Sequence, residues 1–151
     1  MSKLQDSLNK AVSEVLSWAS ANNLPINDKK TKVLVVTGKR LLSKIDHAPE
    51  VSIGDTKLTN VLSAKLLGLE IDHELTFSRH VDNLCKKLSQ RIGILRKIRN
   101  MLPLKQRIMF YNSMIKPVFH YVNVIWTTCN KDDLGKVLKL QKRAARVISK
   151  Y

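Results

Sequence analysis

Apolar positions along this chain change their period once, near residue 75. In the first segment, Leu4, Leu8, Ala11, Val12, Val15 and Trp18 recur at the spacing of one helical face, which predicts an amphipathic helix over Leu4 to Ala21. Asn22-Asn23-Leu24-Pro25 then halts it, because the residue before a proline is pushed out of the helical region. Val33-Leu34-Val35-Val36-Thr37, closed by Gly38, is a β-branched run and reads as a strand. Residues 39–50, charged and carrying His47 and Pro49, read as an exposed loop. Val51-Ser52-Ile53 and Thr56-Lys57-Leu58 alternate about Gly54-Asp55 and predict a tight hairpin. Ala64 to Asp72 predicts one further strand.

From Ser78 onward the period is helical. Val81, Leu84, Leu88, Ile92, Leu95 and Leu102 draw an apolar stripe down one long helix that breaks at Pro103. A second helix carries Ile108, Met109, Tyr111, Met114 and Ile115 and meets Pro117. Val118 to Ile125 is apolar and aromatic, and predicts a short buried helix ending near Trp126. Asp132 or Asp133 can cap a last helix. Its predicted apolar face is Leu134, Val137, Leu138, Gln141, Ala145 and Ile148. The fold class expected is therefore α+β: residues 1–75 a helix with a few strands, residues 76–151 an all-α subdomain.

Charge sharpens this division. Residues 1–82 hold 11 Lys/Arg against 10 Asp/Glu, whereas residues 83–151 hold 16 Lys/Arg against Asp132 and Asp133 alone. Nearly all of the net +15 thus sits in the helical half. A solvated helix face ordinarily mixes Glu with Lys for pairing one turn apart; this half does not. Segregated cations point to a polyanionic partner, since clustered Lys and Arg bind phosphates and release condensed counterions. On the last helix Lys136, Lys139, Lys142, Arg143, Arg146 and Lys150 fall in one sector away from the apolar face. Lys86, Lys87, Arg91, Arg96, Lys97 and Arg99 spread around the long helix as a collar. These twelve are the candidate nucleic-acid-binding residues.

Other chemistries find little support. No apolar run reaches the 18 residues of a membrane span, and the basic helices lack the Trp/Phe-rich faces of interfacial helices. The polar start, Met1 to Asp6, predicts no secretory signal. Cys85 and Cys129 read as small buried apolar residues in an intracellular chain, nuclear or cytoplasmic. His73, His80 and Cys85 match no zinc spacing, His120 reads as a core histidine, and no phosphate-binding glycine loop occurs, so no metal site is predicted.

A resemblance emerges from the order of short motifs. Trp18 ends the first helix, followed by Asn22 or Asn23, Leu24, Ile26-Asn27 and Lys30-Thr31 before a strand. Leu66-Leu67-Gly68-Leu69-Glu70-Ile71-Asp72 follows, then Leu75-Thr76-Phe77 and His80-Val81. The helical half continues with Ile92-Gly93-Ile94-Leu95-Arg96-Lys97, Leu102-Pro103, Tyr111 to Pro117, Tyr121, Trp126 and Leu140 to Ile148. From about Leu4 to the end, this order resembles the region after the catalytic motif in reverse transcriptases of jockey-like non-LTR retrotransposons.

The resemblance implies a late palm remnant over residues 1–75 and a helical thumb-like subdomain over residues 76–151, truncated before the catalytic Asp-Asp motif. It implies that Lys30 corresponds to the lysine that helps pyrophosphate depart, that residues 51–72 hold the primer end, and that the partners are an RNA template and DNA primer. Two-metal phosphoryl transfer needs carboxylates converging on Mg²⁺; in the family these come from an early strand and an aromatic-x-Asp-Asp hairpin N-terminal to this region. The resemblance thus implies Mg²⁺ for the intact polymerase and its N-terminal palm and fingers as further partners. This chain is expected to carry no cofactor itself. Asp132-Asp133 lacks flanking apolar strands and reads as a helix cap. The expected function is a polymerase fragment that grips template–primer and is inactive alone. The alternative is a free-standing basic RNA- or DNA-binding helical module.

Overall fold

The computed structural model describes residues 2–38 and 49–149, with side chains from Gln5 onward. Residues 39–48 of the expected 39–50 loop, His47 among them, the side chain of Leu4, and Lys150 lie outside the described residues. The chain is a mixture of helix and strand and divides into two compact units, Met1–Ala64 with Asp72–Leu75, and Lys65–Ile71 with Thr76–Tyr151.

In the first unit, helix α1 (Ser2–Ala21) stops as its last carbonyls are recaptured by the chain beyond. Asn23 turns left-handed (φ 54°), its N–H donates to the Ser20 carbonyl, and Leu24 N–H donates to the Ala19 carbonyl. This is a Schellman closure with asparagine in the position glycine usually takes. Ala19 is buried, but Ala11, Val15 and Trp18 of the predicted stripe are exposed, Trp18 by 61%. Asn27 Oδ1 then accepts from Lys30 N–H (3.1 Å) and caps a single 3-10 turn, Asp28–Lys30. Strand β1 (Lys32–Leu34) pairs in parallel with β4 (Thr59–Val61), a strand that the sequence pattern did not mark. β2 (Ser52–Ile53) and β3 (Thr56–Lys57) form the hairpin expected around Gly54-Asp55, with Gly54 left-handed (φ 55°).

The stretch expected to be one strand from Ala64 to Asp72 is instead two, β5 (Ser63–Leu66) and β6 (Leu69–Asp72), paired as a hairpin. The turn is Leu67-Gly68, both with positive φ (48° and 89°), the primed geometry that suits the strand twist. Tyr121 donates its hydroxyl to the Leu67 carbonyl, and a Cβ on Gly68 would sit 3.1 Å from that hydroxyl. Glycine is needed here for both reasons.

In the second unit, α2 (Ser78–Ile98) buries Val81, Leu84, Leu88, Ile92 and Leu95 of the predicted stripe, while Leu102 lies beyond the helix, after the 3-10 turn Arg99–Met101. The core adds Leu69, Phe77, Ile115, Trp126, Val137, Ala144 and Val147. α3 (Leu104–Phe110) runs on through a π turn, Tyr111–Ile115, into α4 (Lys116–His120), so Pro117 does not end the helix as expected. Proline cannot donate to the carbonyl four residues back, and the widened turn directly ahead of it accommodates that loss. The chain breaks later, at Tyr121-Val122, where Val122 is left-handed (φ 51°). Only a short α5 (Asn123–Trp126) follows. The apolar 118–125 stretch is not buried as a whole: Val124 is 81% exposed, while Trp126 is buried and donates Nε1–H to the Tyr121 carbonyl (2.9 Å).

α6 (Lys131–Ser149) is capped by Asn130, whose Oδ1 accepts from Asp133 N–H (2.8 Å) while its Nδ2 donates to Asp133 Oδ2 (3.0 Å). The expected cap, Asp132 or Asp133, is thus replaced by a reciprocal asparagine–aspartate box. Buried Asp133 also accepts from Lys136 Nζ (2.7 Å), and Lys136 reaches Asp82 on α2 (3.0 Å). The Lys136 bond, then the Ser78 hydroxyl, hold the Asp133 carboxyl below its usual range. A depressed carboxylate stabilises the fold above its unfolded pKa, and the gain is lost as pH falls through the folded value. Asp133→Asn should therefore cost about 1–3 kcal/mol near pH 7, as expected for hydrogen bonds to a buried charge. In urea unfolding at a series of pH values, the gap from wild type should close below about pH 4; a pH-independent gap would refute this role.

Both cysteines are free thiols, Cys129 buried and Cys85 half-buried, and burial pushes both pKa values upward.

Candidate nucleic-acid interface

The face that α6 buries decides where its cations point. Asp133, Val137, Ala144 and Val147 are buried, with Leu134, Leu140 and Ile148 packed against the core. Leu138, Gln141 and Ala145, assigned above to the apolar face, are exposed. Lys136, held by Asp133, ties the first turns of α6 to Asp82 of α2, and the two helices pack along each other. At about 100° per residue, Lys139, Lys142, Arg143 and Arg146 lie on the far side, and all four are exposed. Their i, i+3, i+4, i+7 spacing makes one stripe about 10 Å long. From Leu134 to Ser149 no acidic residue occurs to neutralise it.

Lys136 belongs to a different class. Its ammonium sits between Asp133 and Asp82, and these two carboxylates hold its pKa above the usual lysine value. It is a bridge between helices rather than a cation facing solvent alone. Arg107, not singled out in the sequence, is likewise structural: it is buried and donates Nη1–H to the Ile148 carbonyl (2.8 Å), at the negative end of α6.

On α2 the collar separates into groups. Lys86 and Lys87 are exposed, and half-buried Arg91 donates Nη1–H to the Met114 carbonyl. With Lys65 and Tyr121 these three line a cleft of about 640 Å³. Arg96 and Lys97 are exposed in the last turn of α2, and Arg99 is half-buried in the 3-10 turn Arg99–Met101. Lys65 was not singled out in the sequence, because it lies in the charge-balanced half; Tyr121 was quoted only in the motif order.

In the first unit, Lys30 is exposed at the end of the 3-10 turn before β1. Among the described residues no three His, Cys, Asp or Glu side chains stand together as metal ligands. Asp133 and Asp82 share the Lys136 ammonium between them.

Comparison with known proteins finds several relatives of one kind. The chain is 27% identical over 135 residues to a probable RNA-directed DNA polymerase from transposon X-element of Drosophila melanogaster, covering 87% of this chain and 14% of the relative. It is 28% identical over 147 residues to the RNA-directed DNA polymerase from mobile element jockey of Drosophila funebris, covering 95% and 16%. It is 23% identical over 128 residues to the retrovirus-related Pol polyprotein from type-1 retrotransposable element R1 3 of Nasonia vitripennis, covering 82% and 33%. The chain therefore spans only a small part of the length of these relatives. No family model and no solved structure matches it. Over most of its length, this chain is similar to the RNA-directed DNA polymerases of jockey-like and other non-LTR retrotransposons.

Proposed function

We propose that this chain is the late-palm and thumb portion of a mobile-element reverse transcriptase, residues 1–75 and 76–151 respectively, and that it grips template–primer through basic helical surfaces. The observation that carries the reading is the α6 stripe: four exposed cations at helical spacing with no acidic residue beside them. Cations spaced in this way can follow a phosphate backbone without reading bases, so binding would tolerate sequence. Lys139, Lys142, Arg143 and Arg146 would make the phosphate contacts, with Arg96 and Lys97 adding to them. Lys30 would face the leaving pyrophosphate only in a complete polymerase, where the charge developing on that group needs a cation. Mg²⁺ would be held there by carboxylates supplied from elsewhere in that polymerase.

Primer extension by this chain with Mg²⁺ on a primed RNA template is expected to yield no product, while a gel-shift with the same template–primer shows binding. Robust synthesis would overturn the proposed division of labour. A second reading, a free-standing RNA- or DNA-binding module, is favoured by one observation: the helical unit has its own closed core, with Leu88, Ile92, Leu95 and Ile115 fully buried. The two readings separate if the helical unit alone binds template–primer as tightly as a polymerase that contains it.

A further inference from the structure

The cleft in the helical unit differs in kind from the α6 stripe. It is concave, about 640 Å³, and within the size range of small-ligand sites. Lys65 enters from the β5–β6 hairpin, and Lys86, Lys87 and Arg91 come from successive turns of α2. One carboxylate shares the lining, Glu70, and it is already engaged by Arg79 Nε (2.9 Å) and Asn83 Nδ2 (2.6 Å). The four lining cations are therefore not cancelled by that acid.

His80 also lines the cleft. Its Nδ1 accepts from Glu70 N–H (3.4 Å), so the neutral ring carries its proton on Nε2. That nitrogen is buried and has no hydrogen-bond partner among the described residues. A wall that offers four cations is matched to an acceptor-rich occupant.

We propose that this cleft is a compact phosphate site, taking two or three adjacent phosphates, and that it is separate from the α6 stripe. Lys65, Lys86 and Lys87 supply mobile point charges, and Arg91 is held in place by the Met114 carbonyl. Tyr121, fixed by its bond to the Leu67 carbonyl, closes one side. The phosphates come either from a free polyphosphate or from a bent or terminal stretch of a nucleic-acid strand. Both present the same chemistry to these residues.

Calorimetric titration of the full chain with inorganic tripolyphosphate, at about 0.15 M salt where charges beyond ~8 Å are screened, tests this. Saturable one-to-one binding is expected, weakened at least tenfold by K86E/K87E and less than threefold by K139E/R143E/R146E. Should K86E/K87E fail to fold, K65E at an exposed position of β5 is expected to weaken binding at least fivefold. Absence of saturable binding, or equal weakening by the α2 and α6 variants, would overturn the proposal. Repeating the titration with saturating duplex assigns the source: tripolyphosphate is excluded if a strand fills the cleft, and still binds if the site takes free polyphosphate. Failure of the thumb reading would appear separately, as duplex binding indifferent to the α6 variant.

Discussion

Leu88→Ala is expected to destabilise the helical unit by about 3 kcal/mol, within the 2–5 kcal/mol typical of emptying a buried leucine site. Leu88 is fully buried midway along α2, among Leu84, Ile92 and Leu95 and the residues of α6 that complete the core. Truncation removes the transfer gain of the lost methyl groups and leaves a cavity that fully buried neighbours can fill only in part. Domains of this size are commonly stable by only about 5–15 kcal/mol, so the loss is a large share. Ile94→Ala on the same helix is the control: Ile94 is 51% exposed, and its loss should cost well under about 1 kcal/mol. Trp18→Ala in the first unit should be comparably mild, in spite of the residue's size. Urea unfolding followed by circular dichroism reads all three; equal costs for Leu88 and Ile94 would contradict the assigned α2 face.

The contrast between Leu88 and Trp18 shows which parts of the fold were legible in the sequence. The α2 stripe was read correctly because a 21-residue helix repeats its period five times over, so one misplaced residue cannot rotate the reading. The Gly54-Asp55 hairpin was legible because turn chemistry is local. The hairpin at Leu67-Gly68 was not, since an apolar leucine stands where Asn or Asp usually marks such a turn, and the flanks read as one continuous strand. The parallel pairing of β1 with β4 depends on partners 27 residues apart, which no local pattern encodes.

Composition located the basic helices, but not which of their cations are held by partners within the fold. Lys136 and Arg107 look like any other cation in sequence, yet each is fixed by a partner from another element, Asp82 for one and the Ile148 carbonyl for the other. Lys65 was invisible because it joins the cleft only once the hairpin folds. The exposed stripe from Lys139 to Arg146 was legible, because unopposed charge at helical spacing needs no tertiary information.

Neutralising that stripe should have the largest effect on binding. K139A/R143A/R146A is expected to weaken duplex affinity on the order of a hundredfold at ~0.1 M salt, since each cation lost removes roughly one released counterion. Helical content should be unchanged, because all three side chains are exposed and alanine is a good helix former. Lys136→Ala should do the reverse, lowering stability through the Asp133–Asp82 bridge while leaving affinity nearly intact.

The salt dependence of duplex binding tests the central claim most directly. Plotted as log affinity against log salt concentration, the wild-type chain should fall steeply, and K139A/R143A/R146A should fall less steeply by about 2 to 3 in slope. A wild-type slope near zero, or one unchanged by the substitutions, would contradict a phosphate-gripping role for α6.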